Sequence, residues 1–405
     1  MSKPEILSFL SEEFLMPQPE ILEFSSKSQS LFIGIPKERA FQEKRVPLVP
    51  EAVGLLVSNG HKVYVETGAG IESFFTDKEY SDAGAKICLN VKEVYQADII
   101  LKVVPPSKEE LDFFNHNQCL ISALQLKTRT SDYFKNLMDK KVTAVAFDYI
   151  QDETNAFPIV QSMSEIAGNS SILIASELLS TTAGGKGMLM GGIPGVSPTQ
   201  IVIIGAGTVA EYASRTAMAL GASVKVFDNS IARLRRLQND LRLPVATSIL
   251  QPKVLEKALK RADVAIGALR AKEGRTPCVI SSEMVQMMKP NSVIVDVSID
   301  QGGCFETSEV TTHETPIFTK HEVIHYCVPN IASRVSKTAS FSLSNILAPL
   351  LLKVGNGGGV KGMLLRFPNI RGGVYVYNGI LTNKGISQWF DLPSREIRLL
   401  LGINN

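Results

Sequence analysis

Residues 201–228 read IVIIGAGTVAEYASRTAMALGASVKVFD, and this stretch decides the fold. Ile201–Ile204 is an unbroken apolar run, the pattern of a strand buried on both faces of a parallel sheet. It runs into Gly205-Ala206-Gly207-Thr208-Val209-Ala210, after which the apolar positions take helical spacing. A second strand pattern, Ser223–Phe227, closes on Asp228, 21 residues after Gly207. Gly205 permits a tight turn, Gly207 lets the main chain approach a pyrophosphate, and Ala210 fills the small position where helix meets strand. The pyrophosphate would sit on the positive end of the helix that starts near Thr208. Asp228 can accept hydrogen bonds from the adenosine ribose hydroxyls, and its charge repels a 2′-phosphate. The pattern therefore predicts a dinucleotide site that prefers NAD, although Arg233, Arg235 and Arg236 keep a phosphate within reach.

The same rhythm extends in both directions. Upstream, Leu31–Ile35, Lys62–Glu66, Ile99–Val104, Cys119–Ala123 and Val142–Phe147 read as strands, with Pro50–Asn59 and Ser131–Lys140 among the intervening helices. A long helical pattern begins near Ser164, and the glycine-rich TTAGGKGMLMGGIPGVSP follows it. Downstream of 228 the strand patterns are Val264–Gly267, Ser292–Asp296 and Val323–Cys327, before a final helix at Thr338–Val354 and a glycine-rich tail. Alternating strands and helices predict an α/β protein with parallel sheets covered on both faces. At 405 residues the chain exceeds what one hydrophobic core usually supports, so two doubly wound, Rossmann-like domains are expected.

Composition narrows the function. Lys+Arg 42 against Asp+Glu 40 leaves a net charge of +2, which gives no general attraction to nucleic acid or an anionic membrane. Five cysteines with no CxxC pair argue against a disulfide framework or a zinc site and point to a reducing, cytoplasmic setting. The first 30 residues form an extension whose Ile6, Phe9, Leu10 and Phe14 fit one helical face, a docking or oligomerisation helix; they lack the basic start and continuous apolar stretch of a signal peptide. No apolar run approaches the roughly 20 residues of a membrane span. The histidines show no metal spacing, and no metal is expected. Asp296 and Asp300 flank a strand end before Gln301-Gly302-Gly303, where they either meet a ligand or cap a turn. Arg39, Lys44 and Arg45 follow the first strand and either form a solvated loop or hold a carboxylate.

Several segments together carry a resemblance: GIPKERAFQEKRVPLVPEAV, ETGAG, ILKVVPP, MSEIAG, GGKGMLMGGIPGV, VIIGAGTVA, VDVSIDQGGCFETS and YCVPNIASRVSKTAS. From Leu31 onward the chain resembles the alanine dehydrogenase family, which is related to the NAD-binding subunit of proton-translocating transhydrogenase. The resemblance implies NAD-dependent oxidation of a small amino acid to its 2-oxo acid, alanine to pyruvate and ammonia first among them, by a homo-oligomer, a hexamer or a dimer. It also implies a substrate domain built from residues 31–165 and 335–405, with an NAD-binding domain, 166–334, inserted. By the resemblance Arg45 grips the substrate carboxylate and Asp300 is catalytic. Cofactor contacts fall on Ser164, Gly205, Gly207, Thr208, Val209, Asp228, Arg233, Val297, Ser298, Ile299, Val328, Asn330 and Ile331.

Two positions depart from the family pattern. ILKVVPP keeps Lys102 but has Val104 where the family has a second, substrate-contacting lysine. ISALQLK has Gln125 in the place of the catalytic histidine. Glutamine hydrogen-bonds a carbonyl but relays no proton, and one acid/base group is typically worth about 10²–10⁴ in rate. Gln125 and Lys102 are therefore read as altered catalytic partners, with strand alternation placing Lys102 on the face of Val104 and Lys127 on that of Gln125. The alternative is an NAD(H)-binding protein, transhydrogenase-like or cofactor-sensing, without amino-acid chemistry.

Overall fold

The computed structural model describes residues 29–271 and 275–403, so the expected helix at Ile6–Phe14 lies outside the described residues. Two sheets organise the rest. The first has eight strands in the order β15-β14-β6-β5-β4-β1-β2-β3. Its parallel part comprises β1 (Phe32–Ile35), β2 (Lys62–Glu66), β3 (Lys86–Cys88), β4 (Ile99–Leu101), β5 (Cys119–Ser122) and β6 (Thr143–Ala146). The second has seven strands in the order β12-β13-β11-β10-β7-β8-β9. It contains β7 (Gln200–Ile204), β8 (Ser223–Phe227), β9 (Ala246–Ser248), β10 (Val264–Gly267), β11 (Val293–Asp296), β12 (Ile317–Lys320) and β13 (Val323–Tyr326), with only β12 antiparallel to its neighbour. From β7 the second sheet runs outward both ways, the switch point at which doubly wound sheets bind ligands.

Strand alternation explains why both faces of each sheet are covered. In β4, Ile99 and Leu101 enter one apolar cluster while Ile100 enters another on the opposite face. In β7, Ile201 and Ile203 face one cluster, and Val202 and Ile204 face its counterpart. Such double burial requires apolar residues at every position, which is why these strands lack polar interruptions.

The chain crosses from the first sheet to the second on the helix Pro158–Leu178, and returns on the helix Ser336–Asn356. The former begins earlier than the expected start near Ser164, because Pro158 opens the helix at its first turn. The segment Ile331–Asn356 has the length and hydropathy of a membrane span, but 56% of its apolar window is buried, and Leu343, Leu347, Leu351 and Val354 fill the first sheet's core.

The glycine-rich tail is a correction to the sequence reading. It folds into the helices Gly359–Arg366 and Pro368–Arg371 and then β14 (Val374–Tyr377) and β15 (Ile380–Leu381). β14 pairs antiparallel with β6, so the C-terminal segment completes the first sheet. The strand ends are also shorter than expected: Val104, Ala123 and Phe147 lie beyond them.

Candidate active site

Parallel strands deliver ligand-binding groups at their carboxyl ends, and the predicted site residues gather there. After β7, Gly205 holds φ +113, and a Cβ at this position would collide with the carbonyl oxygen of Ala268. A Cβ at Gly207 would meet nothing within 4 Å, so the chain leaves open space over the start of the helix Thr208–Ala219. Open space, a helix N-terminus and free N–H groups form the cradle a pyrophosphate requires. Asp228, 3% exposed at the end of β8, accepts from Ala206 N at 2.9 Å and Ser230 N at 2.7 Å. Its carboxylate is thus fixed against the glycine turn, with lone pairs left for ribose hydroxyls. Arg233 Nη1 lies 3.6 Å from Asp228 Oδ2, and Arg236 Nη2 donates to Ala206 O at 3.2 Å. These features fit a dinucleotide. Thr208 and Val209 begin the helix, and Ser164 is half-buried on the crossover helix, donating to Val160 O at 2.7 Å.

β11 ends in a short 3-10 helix, Val297–Gln301, that carries Ser298 and Ile299 inward and leaves Asp300 open to solvent. The two aspartates have different tasks. Asp296 is 1% exposed and accepts from Ser298 N at 3.0 Å, Cys304 N at 2.9 Å and Ser308 Oγ at 2.7 Å, so it fastens the turn. Asp300 Oδ1 accepts from Asn330 N at 2.9 Å. Although the residue as a whole is exposed, neighbouring protein crowds its carboxyl and raises it above its ordinary value, against the pull of the Asn330 N–H, Arg45 and Lys127; the Asp296 charge adds to the rise. Val328 and Ile331 are buried beside it after β13, flanking Asn330, which holds a left-handed conformation.

Arg45, 9% exposed, follows β1 and belongs to the same neighbourhood. It is gripped by Glu43, with Nε to Oε1 at 2.7 Å and Nη2 to Oε2 at 2.6 Å, while Nη1 approaches Met163 Sδ at 3.4 Å. Burial works against the charge of either partner, but their mutual attraction prevails: Arg45 stays cationic, and Glu43 is held below the usual carboxylate range. The Arg45 fork retains Nη1 for a ligand carboxylate.

The other first-lobe residues are placed unlike the sequence reading. Lys102 has 0% exposure and sits between Glu38, at 3.1 Å, and Glu110, at 2.9 Å. An ammonium enclosed in this way is tied to its two carboxylates inside the lobe. Val104 is buried in the main core of the first lobe. Gln125 lies past the end of β5, in a left-handed conformation that starts a 3-10 turn, so the strand-face argument linking it to Lys127 does not apply. Both residues are exposed, and Lys127 reaches Asp300 electrostatically.

Three groups escaped the sequence reading. Glu38 and Glu43 sit in a loop read only for its basic residues. Asp148, after β6, accepts from Leu124 N at 3.2 Å beside Gln125, and desolvation pushes its carboxyl up to about 6 against its backbone hydrogen bonds and the charge of Arg270. Carboxylates at successive strand ends were the available signal.

Comparison with known proteins adds independent information. Residues 34–167 match the alanine dehydrogenase/PNT N-terminal domain, and residues 171–384 the corresponding C-terminal domain. The chain is 40% identical over 365 residues to an alanine dehydrogenase of Methanococcus maripaludis, covering 90% of this chain and 97% of that one. It is 39% identical over 359 residues to an alanine dehydrogenase of Bacillus subtilis, covering 88% and 94%. A solved L-alanine dehydrogenase superposes with a TM-score of 0.84 at 35% identity, over 89% of this chain and 99% of that one. The transhydrogenase from Sinorhizobium meliloti superposes with a TM-score of 0.74 at 24% identity, over 87% and 99%, a likeness of fold.

Proposed function

The chain belongs to the alanine dehydrogenase/PNT family and is an NAD-dependent oxidoreductase, and from this premise we propose that it interconverts a small amino acid with its 2-oxo acid, with alanine and pyruvate as the first candidates. One observation carries the reading. Arg45, a buried cation whose Nη1 meets the weak thioether acceptor Met163 Sδ, is joined through Glu43 and Asn330 to Asp300, a carboxyl with a raised pKa.

In the proposed mechanism Arg45 binds the substrate carboxylate and fixes the orientation of the α-carbon. Asp300, more readily protonated than an ordinary carboxyl, takes a proton from the substrate ammonium before the hydride leaves, takes another from the water that adds to the resulting imine carbon, and returns one to the amine as it departs as ammonia. Lys127 faces Asp300 and favours its ionised form. Gln125 supplies a hydrogen bond to the substrate carbonyl in place of a proton. When bound, NAD supplies the hydride acceptor at nicotinamide C4. The glycine turn at 205–207 and Asp228 hold the adenosine diphosphate end; Ser164, Thr208, Val209, Arg233, Val297, Ser298, Ile299, Val328, Asn330 and Ile331 line the remainder of the cofactor path. Residues 31–165 with 335–405 then form the substrate lobe and 166–334 the cofactor lobe, working in the cytoplasm. A homo-oligomer, hexamer or dimer, fits the exposed apolar side chains of Leu189, Ile193 and Val196.

The test is a panel of 2-oxo acids and ammonia assayed with NADH and with NADPH. Ammonia-dependent NADH oxidation with pyruvate or a near analogue supports the reading. Gln125 favours a second reading, NAD(H) binding without amino-acid chemistry; tight NADH binding with no turnover across the panel would select it.

A further inference from the structure

Residues 42–45 of the first lobe are stitched to the segment that leaves the second sheet. Ser333 Oγ donates to Gln42 O at 2.8 Å and accepts from Lys44 N at 3.0 Å. Gln42 Oε1 accepts from His313 N at 2.7 Å. At the centre, Asn330 Nδ2 donates to Glu43 Oε2 at 2.8 Å, while Asn330 N donates to Asp300 Oδ1 at 2.9 Å. Asn330 can serve both partners because its backbone is left-handed, at φ 57° and ψ 44°. Asparagine tolerates that conformation better than most residues. The same Glu43 oxygen receives Arg45 Nη2. A continuous chain of charge-assisted hydrogen bonds thus runs Arg45–Glu43–Asn330–Asp300, from one lobe to the other.

We propose that Glu43 is a positioning residue that couples the carboxylate anchor Arg45 to the acid/base group Asp300 through Asn330. The inference rests on the reading that Arg45 and Asp300 act on the substrate. Glu43 does two things at once. It locks the Arg45 fork so that Nη1 meets the substrate carboxylate at one angle. It also offsets part of the Arg45 charge that Asp300 would otherwise feel. The groups facing Glu43 are Arg45, Glu38, Asn330 and His313; those facing Asp300 are Arg45, Asp296, Lys127 and the Asn330 N–H.

The sign follows. With Glu43→Gln the Arg45 charge is no longer offset, so Asp300 ionises more easily and its apparent pKa falls. Loss of the lock displaces the substrate, and an error near 1 Å costs about 10²-fold in rate. Glu43→Asp keeps the charge, and Asn330→Gly keeps the left-handed backbone while removing the amide that joins Glu43 to Asp300.

The experiment compares the full-length protein with these three variants. It measures kcat and KM for pyruvate amination from pH 5 to 10, together with NADH and pyruvate binding by calorimetry over the same range. For Glu43→Gln the expected result is NADH affinity within twofold of wild type, kcat down at least tenfold, and the Asp300 limb moved to lower pH. Glu43→Asp should restore the position of that limb, and Asn330→Gly should lower kcat while leaving the limb in place. Glu43→Gln with a raised KM but unchanged kcat and pH limb would overturn the coupling while leaving the proposed activity intact. Wild-type protein that binds NADH but neither binds nor converts pyruvate or any other small 2-oxo acid would overturn the activity itself and the coupling with it.

Discussion

Gln125 holds φ 46° and ψ 50° just past β5, where it is exposed and its carbonyl oxygen accepts from Thr128 N and Oγ1. Histidine is among the residues that enter this left-handed region most readily, so Gln125→His introduces a proton carrier at little backbone cost. We expect it to raise kcat for pyruvate amination at least tenfold and to add a limb near pH 6–7 to the profile, since acid/base groups are worth about 10²–10⁴; rates equal to wild type would show that the proton already travels by Asp300, Lys127 or Asp148. Val104→Lys is a different matter, because Val104 is a core residue and a lysine there would bury a second charge close to Lys102. Lys102 itself is held by two carboxylates. Replacing it with methionine leaves Glu38 without its ammonium and Glu110 with the more distant Arg39 Nη1 at 3.8 Å, and should cost about 3–5 kcal/mol in urea unfolding while NADH affinity is retained. A Lys102→Met protein of unchanged stability and abolished turnover would return Lys102 to the catalytic set.

At the scale of elements, the helix Ser336–Asn356 fixes the loop that carries Arg45. Ser340 Oγ accepts from Val46 N at 2.9 Å, and Ser344 Oγ accepts from Val49 N at 3.0 Å. Both acceptors are fully buried, so Ser344→Ala strands an N–H and should cost about 1–3 kcal/mol by denaturant titration. Ser340→Ala, next to Arg45, should in addition raise KM for pyruvate severalfold; a KM unchanged in a destabilised Ser340→Ala protein would show that the loop holds its shape without the helix. These contacts also mark what the sequence revealed and what it did not. The turn at 205–207 and Asp228 were legible because strand, turn, helix and acid lie within one continuous stretch. The bond from Asn330 to Glu43 spans 287 positions, and no local pattern announces it. β14 was missed for a similar reason: Val374–Tyr377 reads as a strand only once β6 offers it an edge. For Lys102, strand periodicity gave a face but not Glu38 and Glu110, the partners that enclose it.

For the molecule as a whole, buried carboxylates make stability depend on pH. Glu38 lies under Lys102, and burial pushes its carboxyl up to about 6, the charges of Lys102 and Glu43 acting in opposite directions. A carboxyl with a raised folded-state pKa binds its proton more tightly in the native protein. Its contribution is therefore fully present below the ordinary value near 4.5 and is lost as pH rises through about 6. Glu38→Gln removes that slope. Relative to wild type, the variant should gain about 2 kcal/mol between pH 4.5 and 7, on the scale of 1.36 kcal/mol per pKa unit; parallel stability curves for the two proteins would show that Glu38 ionises normally.

The central claim is that both lobes act together on one small acid, with the hydride passing between its α-carbon and nicotinamide. Transfer of deuterium from NADH labelled at C4 tests it most directly. With pyruvate and ammonia, or with the 2-oxo acid that the panel favours, the protein should yield an amino acid carrying deuterium at its α-carbon, slowly in the wild type and faster with Gln125→His. NADH bound tightly by the wild-type protein, with no deuterium in any amino-acid product, would contradict the account.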